Sequence, residues 1–178
     1  MKPTQESYTP TFAGTFVVEF APGEFTSGLK AIEGFDAGQT MALLGRDRIT
    51  KGPKAYTSVQ CGRGKEDHIE LNSDLVYINH SCEPNVAFDL SSADRTKWNL
   101  RALKRIEPGT FLTFFYPSTE WDMDQPFTCQ CKTPTCLGMI QGAKYLSRKQ
   151  LVAREFASPW ILEEVDERDK NGKAVSRL

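Results

Sequence analysis

Asn79-His80-Ser81-Cys82-Glu83-Pro84-Asn85 is the stretch on which the fold of this chain turns. By local chemistry it is a reversal: Asn, Ser and Pro favour turns, and the Asn and His side chains can hydrogen-bond a ligand. It follows Leu75 to Ile78, an apolar run that reads as a strand. Taken by itself, the segment is a polar loop after a strand.

Working outward, residues 12 to 115 read mainly as short strands and turns. Thr15 to Phe20 is a β-branched and aromatic run. Gly28 to Ile32, a Gly34 to Gly38 turn and the apolar Thr40 to Leu44 follow at a spacing that suggests a hairpin. Tyr56 to Gln60 and His68 to Leu71 read as another strand pair, joined by the polar loop Gly62-Arg63-Gly64-Lys65. Leu100 to Leu103 and Thr110 to Tyr116 flank Glu107-Pro108-Gly109, where Pro then Gly suits the central positions of a type II turn. Toward the C-terminus the character changes. Ser147 and Gln150 have the form of a capping box, predicting a helix through Phe156. Ser158-Pro159 predicts a second helix, with Ser as cap and Pro at the first position. The charged stretch from Asp166 to Leu178 is expected to fray. The expected fold class is mostly β with C-terminal helices.

At 178 residues the chain fits one domain that can bury a core without disulfide staples. A net charge of −1 leaves no basic footprint, so direct nucleic-acid binding is not expected. No run is apolar enough to span a bilayer, so no membrane partner is expected. The first residues, MKPTQESYTPTFAG, hold no apolar core of the signal-peptide kind. The expected location is therefore nuclear or cytoplasmic, where thiols stay reduced.

Five cysteines in such a compartment read as metal ligands, core thiols or catalytic groups. Cys129, Cys131 and Cys136 place three thiols within eight residues, among polar, turn-forming neighbours. Scattered small hydrophobes are the bland alternative, but the setting favours zinc. Three thiolates do not close a tetrahedral site, and the fourth ligand is open among Cys61, His68, His80 and Cys82.

Asn79 to Asn85 resembles the signature NHSCxPN of the SET domain family and matches it at every defined position. The family's second signature, close to GEELTFDY, is similar to Gly109 to Tyr116, and its post-SET pattern CxCx4C to Cys129, Cys131 and Cys136. An early glycine element, usually GxG, is half present around Thr26-Ser27-Gly28. The resemblance covers roughly residues 12 to 145. It implies a SET domain over 12–118, a post-SET zinc segment over 119–145 and a C-terminal helical extension and tail over 146–178. The implied fold is the SET β-clip, with a knot-like crossing of the strand leading into Asn79 and the segment around Tyr116.

The implied activity is methyl transfer from S-adenosylmethionine to a lysine of a protein or peptide, histone or non-histone. Tyr116 takes the place of the catalytic tyrosine, and Phe114 the place that sets how many methyls fit. A Phe there leaves room that a Tyr-bound water would fill, which implies di- or trimethylation. Gly28, Leu29, Asn79 and His80, with Tyr116, would contact the cofactor. Cys82 would be the fourth ligand of a structural zinc. Trp121, Phe127 and Met139 are further candidates for packing on the cofactor or the lysine channel, with core the better reading for Trp121. The chemistry is demanding, since a free lysine titrates near about 10.4 and must react as the neutral amine.

Several positions depart from the family pattern. Thr40 to Gly45 lacks a channel tyrosine, Leu43 being the relevant position, and Tyr56 and Tyr77 are the substitutes at hand. Phe115 replaces the aspartate of FDY, Val76 an arginine, and Thr26 the first glycine of GxG. No cysteine-rich pre-SET region is present. These departures motivate an alternative, a SET-fold binding module that holds zinc and perhaps the cofactor without turnover. Glu120, Asp122 and Asp124 read as solvated surface, with attraction of a basic peptide as the alternative.

Overall fold

Strand β1 (Phe16–Glu19) buries Phe16 and Val18 and exposes the residues between, the period-two pattern of a half-buried strand. It pairs antiparallel with β2 (Gly28–Ala31), Phe16 opposite Ala31 and Glu19 opposite Gly28. The structure, a computed structural model, describes residues 7–23 and 26–172. Along the chain follow β3 (Thr40–Leu43), β4 (Ile49–Gly52), β5 (Ser58–Gln60), β6 (His68–Leu71), β7 (Asn79–His80), β8 (Val86–Asp89), β9 (Asn99–Ala102) and β10 (Thr113–Phe114). β11 (Phe127–Thr128), β12 (Met139–Ile140), α1 (Arg148–Val152) and α2 (Pro159–Lys170) complete the order.

These strands form small sheets: β1-β2, β3-β9-β8, β4-β6-β5, β11-β12 and a parallel pair of β7 with β10. The mostly-β expectation holds, and so does the pairing across residues 60–68. The hairpin around Gly34–Gly38 is corrected. β2 pairs back onto β1, while β3 pairs with β9. The cause is Phe35, whose N–H and carbonyl both bond Ile106 at 2.9 Å and carry the turn onto a distant segment. Glu107 to Thr110 forms the expected turn, with Gly109 at φ +83° and a Thr110 N–H to Glu107 carbonyl bond of 3.1 Å.

Asp74 to Tyr77 is a 3-10 turn, which corrects the strand expected over Leu75 to Ile78. Its first residue explains the difference. The buried Asp74 carboxylate accepts the N–H groups of Thr11 and Phe12 and the hydroxyl of Tyr8, at 2.9 to 3.1 Å. It thereby ties the N-terminal segment under the approach to Asn79, and curls the chain locally.

One core cluster includes Phe16, Leu29, Phe88, Leu100, Ile106 and Leu112. A second gathers Phe115, Ala143, Leu146, Leu151, Ile161 and Val165, and seats the C-terminal helices on the body. Ser147 and Gln150 make the expected capping box at the start of α1. That helix stops at Val152, short of Phe156, and Glu155 takes a left-handed φ of +69°. α2 begins as expected at Pro159, although the Ser158 side chain makes no capping bond. It continues to Lys170, through the stretch expected to fray. Buried Arg168 holds that stretch by donating to the carbonyls of Lys144 and Leu146 at 2.7 and 3.0 Å. Residues 173–178 of the expected tail lie outside the described residues.

Candidate functional site

β7 and β10 are two residues long, yet they bring together segments more than thirty residues apart: Asn79 lies opposite Thr113, and His80 opposite Phe114. Such a short parallel pair needs support, and the Asn85 side chain supplies it. Its carboxamide accepts the Thr113 N–H and donates to the Phe111 carbonyl, both at 2.8 Å, in the manner of a neighbouring strand. Asn79 in turn donates from Nδ2 to the Ser27 carbonyl at 2.8 Å. Gly28 lies in close approach to Phe111, since a Cβ there would sit 3.0 Å from that ring and would need it to give way.

Beside this pair lies a cavity of about 660 Å³, in the range of small-ligand sites. Asn79, His80, Phe114 and Tyr116 all line it, as do Thr26, Tyr56 and Phe127. His80 packs against Phe115, Tyr116 and Phe127, with ring centres 5.1 to 5.6 Å apart. Its Nδ1 accepts the Tyr116 N–H at 3.3 Å. Burial, and then the Arg154 charge, pull its pKa down to about 3, so the ring is neutral. The Tyr116 hydroxyl donates to the Ile78 carbonyl at 3.4 Å, and burial pushes the phenol above its ordinary pKa.

Two residues expected at the cofactor stand elsewhere. Leu29 is wholly buried, and its carbonyl is taken by the Leu112 N–H at 2.8 Å. Gly28 lies against Phe111 and Asn79, and the lining is reached two residues earlier, at Thr26. Of the remaining packing candidates, Phe127 lines the cavity, Trp121 packs on the second core and Met139 is exposed. Of the substitute tyrosines, Tyr56 lines the cavity, whereas Tyr77 is buried against Tyr8 and Phe20.

Glu120 corrects the expectation of a solvated surface. It is 9% exposed and lines the cavity, and its Oε1 accepts the Gln60 N–H at 2.6 Å. Burial pushes its pKa up to about 7 against the opposing pull of the Gln60 N–H and Lys54. Asp124 also lines the cavity, while Asp122 pairs with Lys144 at 2.9 Å and accepts from Tyr145 at 3.1 Å. Among the described residues, no Lys or Arg lines the cavity. Nothing local in the sequence marks Glu120 for burial, since Ser118 and Thr119 precede it and Asp122 follows two residues on.

The three clustered thiols meet Cys82, with His80 Nε2 beside the set at 3.5 Å from the Cys82 sulfur and Cys61 outside it. The four sulfurs of Cys82, Cys129, Cys131 and Cys136 lie within 4.8 Å of one another. A zinc–sulfur bond of about 2.3 Å places tetrahedral sulfurs about 3.8 Å apart, and the Cys82 and Cys129 sulfurs are 3.9 Å apart. The donor set therefore fits a closed structural metal site. The Cys131 and Leu137 N–H groups point at the Cys129 and Cys82 sulfurs, each at 3.4 Å, as supporting contacts to thiolates. Lys132 and Gly138, at φ +57° and +73°, fold the chain around the cluster. Cys61 is half-buried and donates to the Asp67 carbonyl at 3.3 Å, and His68 meets Ser58 at 3.0 Å.

The departures from the family pattern find physical places. Leu43 is 53% exposed on β3 and outside the cavity, so no channel wall is missing at that position. Phe115 is 1% exposed in the second core, with the Arg154 guanidinium 5.6 Å over its ring. A carboxylate there would be buried beneath the C-terminal helices.

An ionised carboxyl held in such a cavity weakens the folded state. The unfolded Glu120 ionises near 4.5 and the folded one near about 7, so the unfolded state binds fewer protons in between. Stability contributed at this site is present below about pH 4.5 and is lost as pH rises to about 7, a change on the order of 3 kcal/mol. Glu120→Gln, which keeps an acceptor for Gln60, is expected to gain on the wild type over that window in urea denaturation. Parallel stability–pH curves for the two proteins would contradict the burial effect.

Among the described residues, no helix is long and apolar enough to cross a membrane. The family model described as SET domain matches residues 9–117. The methyltransferase flvH of Aspergillus flavus is 39% identical over 152 residues, spanning 85% of this chain and 82% of that protein. The Drosophila melanogaster histone-lysine N-methyltransferase ash1 is 33% identical over 84 residues, 43% of this chain and 4% of that protein. An H3 lysine-4 specific histone-lysine N-methyltransferase of Emericella nidulans is 36% identical over 66 residues, 36% of this chain and 5% of that protein. Matched by the family model over more than half its length, and by one methyltransferase over most of both sequences, this chain belongs to the SET domain family of protein-lysine methyltransferases.

Proposed function

We propose that this chain transfers methyl groups from S-adenosylmethionine to the side-chain amine of a lysine in a protein or peptide substrate. The observation that carries the reading is the convergence of Asn79, His80, Phe114 and Tyr116, from two distant segments, on one cavity. The lining suits both reactants: Thr26, Asn79, His80 and Phe127 offer polar and aromatic contacts, and two carboxyls without a basic residue favour cationic guests. S-adenosylmethionine, when bound, supplies the electrophilic methyl group on its sulfonium.

The protein's part is to bind, align and desolvate. Asn79 and His80 hold the cofactor side, with Thr26 in the place expected for Gly28 and Leu29. The Tyr116 hydroxyl orients the amine for in-line attack. Val59, Leu71, Ile78 and Phe114 give the cavity apolar walls, which lower the pKa of an entering lysine. Phe114 leaves space for di- or trimethylation. A structural zinc on Cys82, Cys129, Cys131 and Cys136 holds segment 119–145 as the post-SET wall of the cavity, beside a SET domain over 12–118 and a helical extension from 146. The substrate is a histone or non-histone protein, and the site of action is nuclear or cytoplasmic.

The deciding experiment is a thermal-shift titration of zinc-replete protein with S-adenosylmethionine, followed by methyl transfer to core histones and to a whole-protein pool. A saturable rise in melting temperature and label in lysine are expected, with Tyr116→Phe losing about a hundredfold in turnover while keeping the shift. No shift at millimolar cofactor would overturn the reading, and a shift without turnover on any pool would assign a binding module instead.

Phe114→Tyr is expected to move products toward monomethyl-lysine in mass spectrometry, and an unchanged distribution removes Phe114 from the role of product gate. Elemental analysis should find one zinc per chain in the wild type, lost in Cys131→Ser together with protection of 123–131 from proteolysis. Full zinc retention in that variant would refute the ligand set.

A further inference from the structure

Glu120 is unusual among the acidic side chains here, because the fold pins it inside the cavity that also receives Phe114 and Tyr116. Its backbone is held on both sides, by its own N–H to the Tyr116 carbonyl at 3.0 Å and by the Ala143 N–H to its carbonyl at 2.8 Å. Its carboxyl is braced across the cavity rim by β5. Gln60 gives its N–H to Glu120 and receives the Trp121 N–H at 3.0 Å on its own side chain. This reciprocal clamp orients a carboxyl that burial would otherwise select against. Asp124 also lines the cavity, and among the described residues no Lys or Arg does.

We propose, resting on the lysine-methyltransferase reading, that Glu120 receives the substrate lysine as its ammonium ion and takes up one proton from it, leaving the neutral amine for methyl transfer. The step balances: an ammonium N–H bond breaks, its electron pair stays on nitrogen, and the proton forms an O–H bond on the carboxylate. The amine's lone pair then takes the methyl, while the sulfonium's C–S bond breaks with its electrons on sulfur. The second product is the neutral thioether. Glu120 releases its proton to water through the open side of the cavity before the next turnover.

The acid strength of the group suits this task. A carboxyl held near about 7 is half ionised at neutral pH, and is basic enough to compete for a proton with a lysine whose pKa is lowered by apolar walls. The titratable and charged groups around it are Lys54, which opposes the upward shift, Asp124, Tyr56 and Tyr116 on the lining, Cys61, and His68 opposite Gln60 on β6. Selectivity follows as well, because a buried anion admits a lysine ammonium and rejects neutral side chains of equal length.

The test compares wild type, Glu120→Gln and Glu120→Asp in methyl transfer to core histones from about pH 6 to 10. For the wild type, kcat/KM should rise as pH passes about 7 and Glu120 ionises. Glu120→Gln should lose about 10- to 100-fold near pH 8, with the deficit shrinking toward about pH 6 and again toward about pH 10, where free lysine is itself partly neutral. Glu120→Asp should recover part of the loss. A deficit of constant size across the range, or none, would overturn the proposal, since a structural role has no reason to follow that curve.

A second measurement needs no turnover. The Glu120 side-chain carboxyl carbon, identified in the 13C spectrum by its loss in Glu120→Gln, is titrated with n-butylammonium chloride. A saturable shift with the amine and none with n-butanol is expected, and no response to either would overturn the proposal. Absence of methyl transfer by wild-type protein to any substrate pool would sink the methyltransferase reading instead, while this titration would still report on Glu120.

Discussion

The parallel contact of β7 with β10 is the constraint on which the rest of the structure depends. Two residues on each strand close a loop of more than thirty, which is entropically unfavourable and weakly repaid by ladder bonds alone. Asn85 makes the contact tenable by turning its side chain into a third strand, and Asn79 extends the network to the Ser27 carbonyl. Around that joint the lining aromatics and His80 find their places. Remove the joint, and Tyr116 and Asn79 have no reason to share a cavity.

The C-terminal extension is a structural counterpart to that joint. Phe115, next to the lining residue Tyr116, points away from the cavity and into the core that α1 and α2 complete. Arg154 joins the two regions, with its guanidinium over Phe115 and a hydrogen bond of 2.9 Å to the Thr135 carbonyl in the cysteine loop. Thr135 also reaches back to Glu83, in the motif segment, by a hydroxyl bond of 2.9 Å. The cysteine loop is thus anchored from the helices, from the motif and through Cys82. Replacement of the family's aspartate by Phe115 follows from the same packing, since that position faces a helix pair and not water.

Electrostatics divide the molecule in a way its net charge conceals. Arg63 forks onto Glu164 and Glu167 of α2 on the outside, while Arg154 and Arg168 are buried beside the C-terminal helices. Among the described residues, Glu120 and Asp124 line the cavity and no Lys or Arg does. Exposed pairs of that kind contribute about 0 to 1 kcal/mol each, whereas one buried carboxyl shifts both stability and ligand preference by more. The interior arrangement carries the functional information.

Read alone, the sequence determined the family, the β-rich class, the position of Tyr116 and the three clustered thiols, because short motifs at fixed spacing report chemistry that must recur together. It also determined the capping box at Ser147 and the turn at Gly109, which are matters of local backbone and adjacent side chains. Tertiary structure decided what depends on contacts between distant segments. It brought Cys82, the ligand implied by the family resemblance, up to the other three thiols, paired β3 with β9, curled Asp74–Tyr77 into a 3-10 turn around a carboxylate that serves the N-terminal segment, and put Thr26 rather than Leu29 on the cavity lining. It also turned Glu120 inward. A carboxylate four residues beyond a tyrosine carries no local sign of burial, and only the approach of β5, with its Gln60 N–H, removes it from water.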